Sequence, residues 1–178
     1  KMSVEAGFPG IYLVANVNEN SIKKEVMFQK GYDAVCYCDI LGHAQQNRNT
    51  FWHKVYKHLQ GILLNRPTHV YDYSKHYKEL IGEIDKDENV IPQIVPQWAH
   101  SPRGGRKTNI YINSTPEYFA KHVRMAMEAI KGKKEEHQIL MLKSWNEWAE
   151  GNYMEPDLTH GRGYIDALRQ VVEEYKDK

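Results

Sequence analysis

The stretch Ala34-Val35-Cys36-Tyr37-Cys38 opens a run, continuing to Ile40, in which almost no polar residue alternates with the apolar ones. A strand of this composition is buried on both faces, which is typical of a parallel sheet covered by helices. The same pattern recurs in runs 11–15, 90–95 and 139–142. We therefore expect a sheet of four parallel strands. The run 90–95 is the weakest of the four, because Pro92 cannot donate to a central ladder.

Each of these runs is accompanied by a stretch with helical spacing or with helix start and stop signals. The clearest begins at Thr115-Pro116, where Thr caps and Pro fits the first turn, and ends before Gly132. The remaining helix-like stretches are 21–30, 49–64, 73–84 and 163–175. Strand followed by helix, four times over, predicts an α/β fold with right-handed crossovers.

The length is compatible with two α/β architectures. A complete (β/α)8 barrel takes about 250 residues, and four strand–helix units in 178 residues make up roughly half of one. The alternative is a small open sheet. No repeat or low-complexity linker divides the sequence, so residues 1–178 are expected to form a single domain.

Charge and composition exclude several classes of partner. The chain has 24 Lys and Arg against 23 Asp and Glu, which argues against a dedicated nucleic-acid binder. No apolar run approaches the length of a membrane-spanning helix. Cys36 and Cys38, two apart on a strand, are badly placed to bridge each other and are expected to be free thiols of the core. Since they give no sign of an oxidising compartment, a cytoplasmic location is expected.

Each of two further sequence patterns is compatible with a ligand-binding site or with an ordinary solvated turn or loop. Asp85-Lys86-Asp87 matches a metal-holding Asp-x-Asp pattern, but it precedes a strand and so is expected to be a solvated turn. The basic glycine loop 101–107 follows a strand and could hold a phosphate or a carboxylate. The chain contains no glycine-rich dinucleotide fingerprint or phosphate loop, so no cofactor and no metal ion are expected.

In parallel α/β folds the ligand lies at the carboxyl ends of the strands. The residue types found there suit a sugar site, because aromatic faces stack on sugar rings while carboxylates and amides bind hydroxyls. The candidates directly after the four runs are Asn16, Asn18, Asp39, His43, Gln97, Trp98, His100, Arg103, Trp145, Asn146, Glu147, Trp148 and Glu150.

Segment 144–156 stands apart, because it places three carboxylates within nine residues among two Trp and one Tyr. A solvated turn would not contain such large aromatics, and a core strand would not hold three carboxylates. A cleft reconciles the two, and a carboxyl held there against an indole ring is desolvated, which favours its protonated form. Two carboxyls in distinct environments are what glycosidic-bond chemistry requires. A structural corner whose carboxylates accept backbone N–H bonds is the alternative.

At this segment the sequence resembles the WbsX-like glycosyltransferase family, related to glycoside hydrolase family 99. The resemblance rests on Trp145-Asn146-Glu147-Trp148-Ala149-Glu150-Gly151, followed by Glu155-Pro156. It implies a (β/α)8 barrel that acts on glycosidic bonds in polysaccharide or lipopolysaccharide assembly. This chain would be its C-terminal half, completed by an N-terminal half or by self-association.

The resemblance also implies roles for individual residues. Glu147 would act as a base on the 2-hydroxyl of the substrate, and Glu150 as the acid/base toward the leaving group. An oligosaccharide or sugar donor would be bound by Trp98, His100, Arg103, Trp145, Asn146, Trp148, Tyr153 and Glu155. Where the family usually has an Asp after the Trp of its Pro-Gly-Trp-Asp-Asn motif, this chain has Ala99. Either the sugar preference differs, or His100 takes part of that role, or turnover is lost.

Three hypotheses remain open on the sequence. The first is an enzyme that makes or cleaves glycosidic bonds through Glu147 and Glu150. The second is a non-catalytic carbohydrate-binding or scaffold protein that retains the aromatic cleft, which the alanine at position 99 favours. The third is a nucleotide-binding open-sheet domain, which the missing glycine-rich fingerprint disfavours.

Overall fold

The computed structural model describes residues 2–18, 22–38, 55, 59, 67, 69–100, 103 and 108–176. Within these ranges the strands are β1 (Val14–Val17), β2 (Ala34–Tyr37), β3 (His69–Asp72), β4 (Val90–Ile91), β5 (Gln93–Ile94), β6 (Asn109–Ile112), β7 (Met141–Leu142), β8 (Asn146–Glu147) and β9 (Asn152–Tyr153). The α-helices are α1 (Met2–Glu5), α2 (Lys24–Gln29), α3 (Tyr73–His76), α4 (Pro116–Ile130) and α5 (Gly163–Tyr175).

The expected parallel strands are present, and their neighbours in space follow the order of the chain. β1 pairs with β2, and β2 with β4, both in parallel. β5 pairs in parallel with β7. Since only Pro92 separates β4 from β5, segment 90–94 joins the two ladders. The prediction of an α/β fold with parallel strands is confirmed, and no closed barrel is formed by the described residues.

Pro92 explains why this strand is divided. Its ring removes one ladder donor, as expected from the sequence, but its carbonyl oxygen still accepts from the Met141 N–H at 2.9 Å. The next carbonyl on the same side, that of Ile94, accepts from the Lys143 N–H at 3.0 Å. The strand therefore changes partner at the proline, from β2 before it to β7 after it.

A fourth parallel pair, β3 with β6, has no counterpart among the four predicted strands. The expected helix over 73–84 is instead a short α3 followed by two 3-10 helices at 77–79 and 83–86. Asp72 begins α3 by accepting from the Ser74 N–H at 3.2 Å. Gly82 lies between the two 3-10 helices, so the helical spacing of Tyr73, Tyr77 and Leu80 does not extend as one α-helix.

The two long helices form where the sequence predicts them. Thr115 caps α4 by accepting from the Tyr118 N–H at 3.4 Å, and Pro116 occupies the first turn. α4 packs against α5 and buries Phe119, Val123 and Ala126 in one apolar cluster, to which β5 contributes Ile94. Tyr164 and Val171 of α5 belong to the same cluster.

One polar side chain of α4, His122, is completely buried, with none of its surface exposed. Its Nδ1 lies 2.9 Å from the Tyr73 hydroxyl, which donates to the Val95 carbonyl at 2.7 Å. The hydroxyl has a single proton, so Nδ1–H of a neutral His122 donates to it. Burial lowers the pKa of His122 from 6.5 to about 4.

The amino-terminal end of the sheet is less solvated than its sequence indicates. Asp85 is buried and accepts from the Gly82 N–H at 2.8 Å, while Asp87 pairs with Lys24. Lys133 is also buried, because its ammonium donates to the Val90 carbonyl at 2.5 Å, and burial lowers its pKa. The expectation of a solvated turn is therefore wrong for Asp85.

Both cysteines are free, with Cys36 buried and Cys38 partly exposed. Burial raises the pKa of the Cys36 thiol to about 12. Three predictions lie outside the described residues: the helix 49–64 apart from residues 55 and 59, the candidates Asp39 and His43, and the basic loop 101–107 apart from Arg103. In the part of the chain that is described, no helix has the length and apolar character needed to cross a membrane.

Candidate functional site

The Trp-rich segment folds as a small antiparallel hairpin after β7. β8 pairs with β9, with Asn146 opposite Tyr153 and Glu147 opposite Asn152. Between them, Trp148–Glu150 form one turn of 3-10 helix, which Gly151 closes at a φ of +54°. Few residues other than glycine adopt this backbone region readily. The hairpin thus places Glu147 before the turn and Glu150 at its end.

Segment 98–100, which follows β5, runs alongside this hairpin. The Ala99 N–H donates to the Glu150 carbonyl at 2.7 Å. On its other edge the segment pairs with β6, because the Tyr111 N–H donates to the Trp98 carbonyl at 2.7 Å and Ala99 forms an antiparallel bridge with Ile110. β3 and β6 therefore support the strand that faces Glu150.

Gly151 allows the close approach of these two segments. A Cβ at position 151 would lie 3.3 Å from the Ala99 Cβ. Asn152, buried beside it, donates from its amide to the Gln97 carbonyl at 2.6 Å. Backbone and amide contacts together fix the hairpin against segment 97–99. The sequence analysis overlooked Asn152, although its place next to the Trp-rich motif was a usable signal.

The Glu150 carboxylate is surrounded by side-chain donors, and its side chain is only 15% exposed. The Trp98 indole N–H donates to Oε2 at 3.1 Å. Arg103 Nη1 donates to Oε1 at 3.0 Å, and His100 Nε2 lies 3.2 Å from the same oxygen. The indole that contacts the Glu150 carboxylate therefore belongs to Trp98, which lies outside the Trp-rich segment. The contact is a hydrogen bond from the indole N–H.

Glu147 has a more open environment. Its side chain is 39% exposed, and Arg103 Nη2 lies 3.8 Å from Oε1. Its backbone N–H donates to the Ser144 hydroxyl at 3.1 Å. One guanidinium therefore reaches both carboxylates, and the two carboxylates differ in exposure and in the number of donors around them.

Trp98 contacts two further polar groups in this cluster. Its ring lies nearly parallel to that of His100, with 14° between the planes and 5.9 Å between the centroids. Lys143 places its ammonium 4.7 Å from the Trp98 ring centroid. Lys143, which directly follows β7, was not among the sequence candidates. Its position directly after a predicted strand could have identified it, because ligands lie at the carboxyl ends of parallel strands.

A second aromatic group lies on the hairpin itself. Trp148 and Tyr153 stack with 3.8 Å between centroids and 13° between planes. Trp148 remains 49% exposed, and its indole N–H donates to Glu155 Oε2 at 2.6 Å. Trp145 is equally exposed, and Asn146 also faces solvent. The hairpin therefore presents an exposed aromatic surface with carboxylate and amide groups at its border.

The phenol of Tyr153 gives this surface a hydroxyl group beside the stacked rings. Burial and the nearby Asp157 carboxylate raise the pKa of its phenol. Its hydroxyl therefore stays protonated near neutral pH and can both donate and accept hydrogen bonds. Among the described residues, no three His, Cys, Asp or Glu side chains are grouped to hold a metal ion.

The structure brings most of the predicted site residues into one region. Trp98, His100, Arg103, Glu147 and Glu150 are joined by direct contacts. Trp145, Asn146, Trp148, Tyr153 and Glu155 lie on or beside the adjoining hairpin. Asn16 and Asn18 lie on β1 and directly after it.

Fold and site together describe a mixed α/β protein with an aromatic surface beside a cluster of carboxylates and cations. Residues 1–168 match the sequence model of the family described as Glycosyltransferase WbsX. The chain therefore belongs to this family.

Similar proteins include two curated relatives from two strains of Xanthomonas campestris pv. campestris, both named uncharacterized protein WxcX. They are 28% identical over 104 residues and 30% identical over 101 residues. These matches cover 58% and 54% of this chain, but only 15% and 14% of the relatives, so the chain corresponds to a small part of their length. A solved structure titled glycoside hydrolase-like protein is 14% identical with a TM-score of 0.49, and the match covers 95% of this chain and 46% of that one.

Proposed function

We propose that this chain carries the acid/base carboxylates of an enzyme that makes or cleaves glycosidic bonds. Membership of a family described as glycosyltransferases supports this class of activity. The observation that carries the proposal is the unequal pair Glu147 and Glu150, both reached by Arg103 and adjoining the stacked rings of Trp148 and Tyr153.

Glycosidic-bond chemistry requires one carboxyl to exchange a proton with the leaving oxygen while a second acts elsewhere on the sugar. In this proposal Glu150 is the acid/base, because Trp98, His100 and Arg103 hold its carboxylate in a defined orientation. Glu147, more exposed and contacted by Arg103 at 3.8 Å, acts on the sugar hydroxyl. The Trp148–Tyr153 stack would bind a sugar ring by its apolar face.

The alanine at position 99 bears directly on this assignment. His100 Nε2 lies 3.2 Å from the Glu150 carboxylate, which supports the hypothesis that this imidazole takes over part of the role of the missing acid. An imidazole nitrogen can donate or accept a hydrogen bond, so histidine is chemically suited to that role.

We also propose that the four strand–helix units form half of a (β/α)8 barrel within a single domain. The parallel order β1, β2, 90–94, β7 supports this, because these strands lie side by side in the order in which the chain forms them, as in such a barrel. β3 and β6, which intervene in the chain, pair with each other in a separate sheet. Among the described strands, β1 pairs only with β2 and β7 only with β5, so each leaves one edge for a further strand. A second copy or an N-terminal half would complete the barrel.

The test is mass spectrometry of products formed from a panel of sugar donors and oligosaccharides. Glu150→Gln keeps the size of the side chain and removes its acid, so product is expected to disappear while sugar binding persists. Glu136→Gln, an exposed acid in the 3-10 helix at 135–137, is the matched control and should retain full turnover. A Glu150→Gln variant with the normal rate would contradict the assigned role.

A second candidate is a non-catalytic carbohydrate-binding protein, which the replacement of an acid by Ala99 favours. It predicts saturable sugar binding that is lost on Trp148→Ala, with no product at any protein concentration. Isothermal titration calorimetry on the wild type and on Trp148→Ala measures the binding, and the product assay distinguishes the two proposals. Failure to bind any sugar would contradict both.

A further inference from the structure

We propose that Lys143 is a positioning residue, whose ammonium group strengthens the hydrogen bond by which Trp98 orients the Glu150 carboxylate. The Lys143 Nζ lies 4.7 Å from the Trp98 ring centroid, within the distance at which a cation and an aromatic ring attract each other. The inference rests on the proposed role of Glu150.

The backbone holds Lys143 where this contact is possible. Its N–H donates to the Ile94 carbonyl at 3.0 Å, which extends the ladder between β5 and β7 by one residue. Trp98 follows β5 by a few residues, so both side chains leave the carboxyl end of the same pair of strands. Lys143 is half-buried there, which reduces the competition of water for its charge.

The cation acts on Glu150 through the indole. A positive charge at the ring face draws electron density toward itself and makes the indole N–H a stronger donor. That N–H donates to Glu150 Oε2 at 3.1 Å. His100 and Arg103 approach the other oxygen, Oε1, at 3.2 and 3.0 Å. The Trp98 hydrogen bond is therefore the contact that fixes the rotation of the carboxylate plane.

The experiment measures this hydrogen bond directly, in the full chain labelled with ¹⁵N. Each of the four tryptophans gives one indole N–H signal, and Trp98→Phe identifies that of Trp98. Lys143→Met removes the charge at similar length and should move the Trp98 indole proton upfield. The Trp148 signal, whose donor contacts Glu155, is expected to stay in place. Lys143→Arg should restore the Trp98 signal, because a guanidinium also stacks on an indole.

Lys131→Met is the matched control, because Lys131 caps the end of α4 and is exposed. It should leave all four indole signals unchanged. An unchanged Trp98 signal in a folded Lys143→Met protein would overturn the proposal. If Lys143→Met does not fold, Lys143→Gln also removes the charge and provides the same comparison. A Trp98 indole signal that is unchanged in Lys143→Gln would likewise overturn the proposal.

Activity separates this inference from the proposed function. If the wild type turns over a sugar substrate, Lys143→Met should lower kcat by about 2- to 30-fold, the range that one cation–π interaction spans, with KM little changed. Lys143→Arg should recover most of the loss. If no substrate is turned over, the proposed function fails, while the indole signal still decides the role of Lys143.

Discussion

Buried His122 predicts a loss of stability in mild acid that can be assigned to a single side chain. The imidazole is fully buried, and its Nδ1–H is used by the Tyr73 hydroxyl. Protonation would add a second donor at Nε2, an atom without a hydrogen-bond partner in the described structure. Burial lowers the pKa of His122 in the folded protein from 6.5 to about 4. The unfolded chain, in contrast, takes up this proton near pH 6.5.

The sign and size of the effect follow from proton linkage. Between pH 6.5 and 4 the unfolded state binds one more proton than the folded state, so the stability contributed by neutral His122 is present above pH 6.5 and is lost as pH falls. At about 1.36 kcal/mol per pH unit, the step from pH 7 to 4.5 costs about 2 to 3 kcal/mol. This is a large part of the stability of a typical domain.

The assay is urea denaturation at pH 7 and pH 4.5, for the wild type and for His122→Asn. Asparagine keeps an amide donor near the position of Nδ1 but does not titrate, so the variant should lose about 2 to 3 kcal/mol less than the wild type over this interval. The carboxylates contribute equally to the pH dependence of the unfolding free energy in both proteins. Their contribution therefore cancels when the wild type is compared with the variant. His160→Gln, at a partly exposed histidine, should keep the wild-type pH dependence. An equal loss in the wild type and in His122→Asn would show that His122 is not the source of the acid sensitivity.

Two further predictions concern the hairpin and the sheet edges. Gly151→Ala should lower the free energy of unfolding by about 1–2 kcal/mol, because the backbone there has a φ of +54° and the added Cβ would lie 3.3 Å from that of Ala99. Gly132→Ala, where an added Cβ meets no atom within 4 Å, should change it by less than about 1 kcal/mol in the same denaturation assay. If the free edges of β1 and β7 belong to half of a barrel, light scattering after size exclusion should find self-association at micromolar concentration. A stable monomer over that range would contradict the half-barrel proposal.

Local signals in the sequence were sufficient for much of the fold. Continuous apolar runs identified the parallel strands, and the Thr115-Pro116 start signal identified α4. The pair β3 and β6 was not predicted, because both strands, His69–Asp72 and Asn109–Ile112, contain polar residues. They are stabilised by pairing with each other, although they are far apart in the chain. The prediction of one long helix over 73–84 was also wrong. The apolar residues with helical spacing there belong to a short α-helix and two 3-10 helices.

For the candidate site, local patterns in the sequence pointed to most of the groups that meet there, but not to Lys143 or Asn152. Segment 145–150 interleaves Trp, Asn and Glu, a composition that is found neither in a core strand nor in a solvated turn. Which of these groups come into contact depends on the tertiary structure. Trp98 and Glu150 are 52 residues apart in the chain, yet they share a hydrogen bond because β5 and β7 end side by side. The contact of Lys143 with Trp98 arises from the same pairing. Strands of a parallel pair are joined by long crossover connections, so a local pattern does not specify which of them become neighbours.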